Sequence, residues 1–244
     1  RKPHPVFNNL TDIVLGKTYS YSPNGFFQIN LPVYEMALQE IKKHIKTENV
    51  LDLYAGVGTI GLSVASDKHL TLVEVDKPAY AELERNCTQV KASEGKPFSD
   101  DVLPANEKMY IPDDPDGFAR RAVPPAVQCM TFSSETGATE KAFTSLANSN
   151  CIRPILAKAE EVTDFIKADQ TVIVDPPRAG LDDKLIEKLL EVMPETIVYL
   201  SCNPATQARD LKFLLEKYQF RTIQPFNFFP RTPHLENLVV LNRK

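Results

Sequence analysis

The chain has few cysteines and none of the close cysteine pairs that mark zinc or iron–sulfur sites. Its four cysteines stand far apart, at Cys87, Cys129, Cys151 and Cys202. Because 244 residues with 43% apolar content can build a substantial core, the fold does not depend on disulfides. We therefore expect no bound metal and a protein of the reducing cytoplasm.

Other absences narrow the class further. No apolar run approaches the ~20 residues of a membrane span, and no signal-type apolar core follows the first five residues. Positive charge is not in excess: the net charge of -4 and the isoelectric point near 5.7 mean that an RNA contact would need a local patch or a part outside this sequence. We expect a monomer with no membrane partner and, since the first residue is not Met, a piece of a longer protein.

From residue 50 onward the sequence alternates apolar runs with amphipathic segments. This rhythm predicts a mostly parallel, doubly wound α/β sheet with crossover helices. Only residues 229–234 separate the last two runs, too few for a helical crossover, so these runs predict an antiparallel hairpin at one edge. The predicted strands are Val50–Ala55, Leu70–Asp76, Ile152–Ala157, Thr171–Asp175, Thr196–Ser201, Arg221–Phe228 and Leu235–Leu241.

Three further segments complete the organisation. Asn30–Lys46 predicts an amphipathic helix, and Pro204–Leu215 predicts a helix with proline in its first turn. Residues 91–150 contain six prolines and no sustained period, so we interpret them as an insertion or loop. We expect an N-terminal segment over residues 1–30 that leads into one domain over residues 31–244.

A glycine-rich turn follows the first predicted strand. Its Gly56 and Gly58 allow a ligand to approach the backbone closely, at the start of a helix predicted over Thr59–Ser66. Together with Gly61 they also satisfy the pattern G-x-G-x-x-G, so the turn alone leaves a nicotinamide or flavin dinucleotide open. Glu74, at the end of the next strand, is placed to accept both hydroxyl protons of a ribose.

Two flanking acids favour S-adenosylmethionine over a dinucleotide. Asp52 comes just before the glycines, and Asp175 begins an Asp-Pro-Pro-Arg turn whose prolines hold the acid at the carboxyl edge of the sheet. A similar turn in amino-methyltransferases contacts the nitrogen that is methylated. This motif by itself therefore leaves the target atom open.

Cys202 lies at the end of the β-branched run 196–201. The helix predicted from Pro204 brings its N-terminus near the thiol, where the macrodipole would lower the thiol pKa from ~8.5. A thiol in this place is typical of a nucleophile, whereas an isolated cysteine is more often a buried structural residue.

Taken in chain order, five motifs resemble the RNA 5-methyluridine (uracil-C5) methyltransferase family. The similarity extends over residues 12–90 and 150–242. The motifs are Phe26-Phe-Gln-Ile-Asn30, the glycine-rich turn 52–61, Asp175-Pro-Pro-Arg178, Ser201-Cys-Asn-Pro-Ala-Thr206 and Pro233-His-Leu-Glu236.

The resemblance implies a Rossmann-like class I methyltransferase fold, S-adenosylmethionine as cofactor, and a uridine of transfer or ribosomal RNA as substrate. It also implies that Cys202 is the nucleophile, that Glu236 is the base, and that Asp175 serves both cofactor and substrate. The residues implied to contact the cofactor are Gln28, Tyr54, Gly56, Gly58, Thr59, Glu74 and Asp175.

The implied chemistry has two requirements. Glu236 needs a partly desolvated site that raises its pKa from ~4.3, and the uridine must be extruded from stacked RNA. We expect His234 to support its loop rather than act as a third catalytic group. Other candidates are aromatic residues that stack on bases or pack in the core (Phe26, Phe27, Phe228, Phe229) and arginines that contact phosphate (Arg178, Arg209, Arg231).

The sequence departs from the family at Lys158, where many relatives place an Asp or Asn that accepts the adenine amino group. A lysine cannot accept that hydrogen bond. The long insertion and the lack of a counterpart to the N-terminal RNA-binding barrel are further departures. The alternatives are methylation of a base amino group, which would not need Cys202, methylation of cytosine carbon 5, and a catalytically inactive RNA-binding protein.

Overall fold

The computed structural model describes residues 9–93 and 151–244, which form two short strands followed by a seven-stranded sheet with helices between its strands. Two 3-10 turns, Ala159–Glu161 and Thr163–Phe165, follow the fifth strand. The strands are β1 Leu10–Val14, β2 Lys17–Tyr21, β3 Asn49–Leu53, β4 His69–Glu74, β5 Ile152–Leu156, β6 Gln170–Val174, β7 Thr196–Ser201, β8 Tyr218–Phe226 and β9 Glu236–Arg243. The helices are α1 Leu31–His44, α2 Thr59–Ala65, α3 Lys77–Ser93, α4 Asp183–Val192 and α5 Pro204–Leu214.

The strand order in the large sheet is β5-β4-β3-β6-β7-β9-β8. Strands β3 to β7 pair in parallel, and β9 runs antiparallel to both β7 and β8. This confirms the predicted fold class, a mostly parallel doubly wound sheet with a C-terminal antiparallel hairpin. The carboxyl ends of parallel strands share one edge, so the sequence motifs that follow β3, β4, β6 and β7 meet there.

Alternating side chains of the strands pack into two apolar clusters, as expected for a sheet covered on both faces. Ile173 and Val198 join the cluster that includes α1, α2 and α3, whereas Val172, Val174 and Ile197 join the cluster that includes α4 and α5. The central strands are thus buried on both sides, which explains their continuous apolar runs.

The boundaries of the predicted elements differ by a few residues from those observed. Strand β8 begins three positions before the predicted Arg221 and ends at Phe226. The strands predicted to end at Ala55 and Asp76 end at Leu53 and Glu74, because the chain leaves the sheet there and enters the loops at its carboxyl edge.

A hairpin of β1 and β2 precedes the large sheet and was not predicted. Its two-residue turn places Leu15 and Gly16 at φ 48° and 77°, a geometry for which Asn-Gly is the usual sequence signal. Tyr19 is fully buried in the same core cluster as α1, and Lys17 Nζ donates to the Leu62 carbonyl at 2.7 Å. The N-terminal segment therefore packs against the catalytic-domain core.

Helix α3 also extends into the segment predicted as an insertion, since it continues to Ser93. The rest of the predicted insertion, with Cys129, lies outside the described residues. Among the helices of the described ranges, none is long and apolar enough to cross a membrane.

Candidate active site

The loop between β3 and α2 takes its shape from left-handed backbone conformations. Tyr54, Gly56 and Gly58 have φ values of 64°, 58° and 88°. A Cβ built on Gly58 would lie 2.5 Å from Leu83 Cδ1 and 2.9 Å from Leu62 Cδ1, so position 58 has neither the conformation nor the space for a side chain. The loop is thereby fixed close to the core.

Glu74 closes this loop with its carboxylate. Its Oε2 accepts from the Gly56 amide at 2.7 Å, while Oε1 accepts from the Val75 and Asp76 amides at 2.8 and 2.7 Å. The acid predicted to face a ribose therefore holds the glycine turn, and its Oε2, which accepts one bond, retains capacity for a further donor.

Two side-chain acceptors are buried without a hydrogen-bond partner among the described residues: Gln28 Oε1 and Asp52 Oδ1. The other oxygen of Asp52 accepts from the Gly61 amide at 2.8 Å. Burial, with a smaller contribution from the charge of Glu74, raises the pKa of Asp52 to about 7. Since unpaired buried acceptors cost free energy, both atoms are suited to a ligand that brings donors.

A cavity of about 800 Å³ opens at the carboxyl ends of β3 to β6, within the usual range for a cofactor site. Of the predicted cofactor residues it is lined by Tyr54, Glu74 and Asp175. Gln28 instead lines a neighbouring hollow of about 380 Å³, and Thr59 is buried, where its hydroxyl bonds Tyr34.

Four side chains meet beside this cavity. Strand pairing sets Ser201 opposite Asn237, which brings Cys202 next to Glu236. The positive charge of Arg178 and the negative charges of Glu236 and Asp175 all act on the Cys202 thiol. The three predicted catalytic residues, which come from distant parts of the sequence, are therefore neighbours. Arg178 is a fourth member of the group.

The expected lowering of the Cys202 pKa is wrong. Burial raises this pKa, and the carboxylates of Glu236 and Asp175 raise it further, while Arg178 only partly offsets them. The helix α5 begins two residues later at Pro204, and its dipole is weaker at the thiol than the burial and the two adjacent acids.

The two acids of the cluster hold protons more tightly than usual. Burial raises the pKa of Glu236 to about 7, and the charge of Arg178 offsets only part of this rise. A pKa in this range suits a general base that acts near neutral pH. Burial, together with the charges of Glu236 and Asp52, raises the pKa of Asp175 well above its usual range.

Arg178 is the residue whose place sequence reasoning missed, since it was assigned to phosphate. Its guanidinium also lies 3.4 Å from His234 Nδ1; the supporting role expected of that histidine stays a prediction. Arg209, another predicted phosphate contact, instead binds Asp210 at 2.7 Å and the Ala179 carbonyl at 2.9 Å. This ion pair could have been predicted from the sequence, because Asp210 directly follows Arg209.

The remaining candidates divide between core and surface. Phe228 is buried and Phe27 stacks on Tyr21 at 4.3 Å, whereas Phe26 is 73% exposed. Lys158 lines the large cavity, and its ammonium lies 3.8 Å from Glu161.

Two family models match different parts of the chain. The family model of tRNA (uracil-5-)-methyltransferase matches residues 157–244, and the model of conserved hypothetical protein 95 matches residues 32–110. An uncharacterized RNA methyltransferase of Lactobacillus johnsonii is 32% identical over 241 residues, covering 96% of this chain and 40% of that protein.

Among solved structures, the tRNA (uracil-54, C5)-methyltransferase of Pyrococcus abyssi, in complex with S-adenosyl-L-homocysteine, matches with a TM-score of 0.65 and 26% identity. The resemblance to the RNA uracil-C5 methyltransferases is confirmed. This chain covers 44% of the Pyrococcus chain and is itself 96% covered. This chain therefore spans less than half the length of these two relatives.

The tRNA m1G37 methyltransferase of M. jannaschii is similar in fold only. It is 14% identical, with a TM-score of 0.56, and the match covers 97% of this chain and 57% of that one. Together these matches place the sheet among class I methyltransferase folds.

Proposed function

We propose that this chain is the catalytic part of an S-adenosylmethionine-dependent RNA methyltransferase that methylates carbon 5 of a uridine in transfer or ribosomal RNA. The observation that carries the proposal is the meeting of Cys202, Glu236, Asp175 and Arg178 beside a cofactor-sized cavity. Two relatives support the same activity, since one is named an RNA methyltransferase and the other a tRNA (uracil-54, C5)-methyltransferase.

The residues present fit the cofactor. Gln28 Oε1 and Asp52 Oδ1 are buried acceptors that lack donors among the described residues, and the ammonium of a methionine moiety would supply them. Glu74 and Tyr54 line the large cavity, where a carboxylate suits the ribose hydroxyls and a tyrosine ring suits an adenine face. Bound there, S-adenosylmethionine supplies an electrophilic methyl group.

Carbon 5 of uracil is a poor nucleophile, and Cys202 changes that. As its thiolate bonds to carbon 6, the electrons of the 5,6 double bond move toward oxygen 4 and form an enolate. Carbon 5 of this enolate then takes the methyl group. Covalent catalysis of this kind replaces one difficult step by two easier ones.

Glu236 completes the cycle by taking the proton that remains on carbon 5. The electrons of that carbon–hydrogen bond restore the 5,6 double bond, the bond from carbon 6 to sulfur breaks, and Cys202 leaves as a thiolate. A carboxylate with a pKa of about 7 is a stronger base than an ordinary glutamate and still half ionised near neutral pH.

Arg178 and Asp175 assist the same steps. The guanidinium of Arg178 stabilises the Cys202 thiolate before addition and after elimination. The carboxyl oxygens of Asp175 suit the N–H donor on the polar edge of uracil.

The experiment is transfer of labelled methyl from S-adenosylmethionine to RNA that lacks 5-methyluridine, followed by nucleoside analysis. Label in 5-methyluridine that disappears in Cys202→Ala supports the proposal. Label in an N-methylated nucleoside that survives in Cys202→Ala, or label in 5-methylcytidine, would assign a different methyltransferase activity. RNA binding with no label in any nucleoside would favour a binding protein without catalysis.

A further inference from the structure

The helix α5 is hydrogen-bonded to both segments that carry the partners of Cys202. The first is the Asp-Pro-Pro loop, residues 175–181, which follows β6. The second is the start of β9, where the side chains of Gln207 and Asn237 pair: Asn237 Nδ2 donates to Gln207 Oε1 at 2.7 Å and Gln207 Nε2 donates to the Asn237 carbonyl at 3.1 Å. Cys202 lies just before α5. The hydrogen bonds of this helix therefore fix the thiol relative to the segment of Glu236 and to the segment of Arg178.

Asp210 is the centre of the contacts to the Asp-Pro-Pro loop. It is fully buried. Its Oδ2 accepts from the Leu181 amide at 2.8 Å and from the Tyr199 hydroxyl at 2.7 Å. Its Oδ1 accepts from Arg209 Nε and Nη2 at 2.9 and 2.7 Å. Both oxygens are therefore occupied by protein donors, so this acid has no spare capacity for a ligand.

Arg209 extends the network from Asp210 to the middle of the loop, because its Nη2 also donates to the Ala179 carbonyl at 2.9 Å. Between these contacts stands Gly180, with φ +84°. A Cβ at Gly180 would lie 2.6 Å from Asp210 Oδ2 and 2.7 Å from Arg209 Nη2. The loop backbone thus passes directly against the ion pair.

Two further bonds hold the loop beside the thiol. The Arg178 carbonyl accepts from Asn203 Nδ2 at 3.0 Å and from the Thr206 hydroxyl at 3.1 Å. Asn203 is the residue next to Cys202 and the N-cap of α5. The backbone of Arg178 is therefore fixed from the same helix end that fixes Cys202.

We propose that Asp210 is a positioning residue for the reaction: with Arg209 and Tyr199 it anchors the Asp-Pro-Pro loop on α5, and so keeps the Arg178 guanidinium at the Cys202 thiol. The role in methylation rests on the proposed function, whereas the anchoring of Arg178 at Cys202 does not. Asp210 itself touches neither cavity nor thiol.

The anchoring has a measurable electrostatic consequence. The anchoring bonds are at residues 178, 179 and 181, so their loss frees the Arg178 cation to leave Cys202. Asp175 directly follows the last residue of β6 and stays held by that strand. The thiol then ionises less readily. A buried acid that served only the stability of the fold would have no such effect on Cys202.

The test compares Asp210→Asn and Tyr199→Phe with Tyr218→Phe in the full chain. Asn keeps the shape of Asp but replaces one acceptor by a donor, so one pair of donors loses its partner. Tyr218 is the matched control: it is also fully buried, and its hydroxyl donates to the Leu189 and Pro194 carbonyls at 3.3 and 3.0 Å, remote from the loop contacts. Arg178→Gln gives the shift expected when the guanidinium is lost completely.

The first readout is the pH at which Cys202 is half-maximally alkylated by iodoacetamide, measured by mass spectrometry of its peptide without RNA. We expect Asp210→Asn to raise this pH by about 0.5–1 unit, toward the value of Arg178→Gln, Tyr199→Phe to raise it by a few tenths, and Tyr218→Phe to leave it unchanged. If Asp210→Asn fails to fold, Tyr199→Phe decides. An unchanged or lowered midpoint in the folded variants overturns the proposal.

The second readout is methylation under saturating RNA. We expect Asp210→Asn to lower kcat by about tenfold to a hundredfold with the KM for S-adenosylmethionine within about threefold. A rise in KM with kcat preserved would assign Asp210 to cofactor binding and contradict the proposal. If the unsubstituted chain methylates no uridine, the proposed function fails, and the alkylation profile still decides the anchoring.

Discussion

The two halves of the site are built differently. In the cofactor half, the left-handed backbone of the turn after β3 shapes the site. Its buried side-chain acceptors lack donors among the described residues. In the reaction half, around β6, β7 and β9, side chains hydrogen-bond one another across three segments. The first half leaves polar groups for a ligand to satisfy, whereas the second satisfies its own groups and so fixes the reacting side chains before substrate arrives.

The largest expected effect tests the division of labour directly. Glu236→Gln should lower the methylation rate by about 10²–10⁴-fold and leave S-adenosylmethionine affinity within about twofold, because the residue belongs to the reaction half alone. Without the base, elimination of Cys202 stalls, and a covalent protein–RNA product that resists denaturant should accumulate. Gel analysis with labelled RNA and a cofactor titration measure both. A large loss of cofactor affinity would erase the distinction between the halves.

In the cofactor half, the effect of a substitution should depend on backbone geometry. Gly58→Ala adds a left-handed penalty of about 1–2 kcal/mol and a Cβ too close to Leu83, which costs about 1–3 kcal/mol more. Gly56→Ala is the control, with φ +58° and open space around its Cβ, so only the left-handed penalty applies. Urea unfolding of both variants gives the difference, and equal losses would contradict the packing argument.

Two buried glutamines should respond with opposite signs. Gln28 Oε1 has no donor among the described residues, so Gln28→Met should leave the free energy of unfolding unchanged or raise it, while cofactor affinity falls about tenfold. Gln207 donates to the Tyr199 and Asn237 carbonyls, so Gln207→Met should destabilise the fold by about 1–3 kcal/mol. Thermal unfolding and calorimetric titration measure both. Destabilisation by Gln28→Met would mean that the amide has a structural rather than a ligand role.

The smallest effect is in the pH dependence of single-turnover methylation. Because the base acts when ionised and the pKa of Glu236 is raised to about 7, its ionisation should contribute about a tenfold rise in rate per pH unit below that value, in addition to the rise from ionisation of the thiol. The raised pKa of Cys202 extends the increase to higher pH. In Glu236→Gln the part of the pH–rate profile that titrates near pH 7 should disappear, whereas the part due to ionisation of the Cys202 thiol should remain. A profile that falls between pH 6 and 8 would contradict both assignments.

Much of the fold could be predicted because its signals are local. The apolar runs of β3, β4, β6 and β7 and the short gap before β9 gave the sheet and its edge hairpin. The turn at Leu15 and Gly16 lacks the usual hairpin residues, which is why β1 and β2 were missed. Helix α3 was missed because its apolar stripe is weak beside its many charged residues.

The site could be predicted in its members but only in part in its properties. Cys202, Glu236 and Asp175 are recognisable from their motifs and the strand ends they follow, and the structure makes them neighbours. The direction of the Cys202 pKa shift was wrong, since a helix start is visible in sequence whereas the burial of the thiol and the nearness of two acids are not.

The sequence by itself determined the type of sheet, the edge at which its loops gather and the residue types available for chemistry there, because strand period, glycine turns and motif order are written in consecutive residues. Only the tertiary structure decided which charges act on which group: Arg178 on Cys202, Asp210 on the loop that carries Arg178, and burial on Glu236. Electrostatic interactions depend on distance and on exclusion of water, and both are set by segments far apart in the chain.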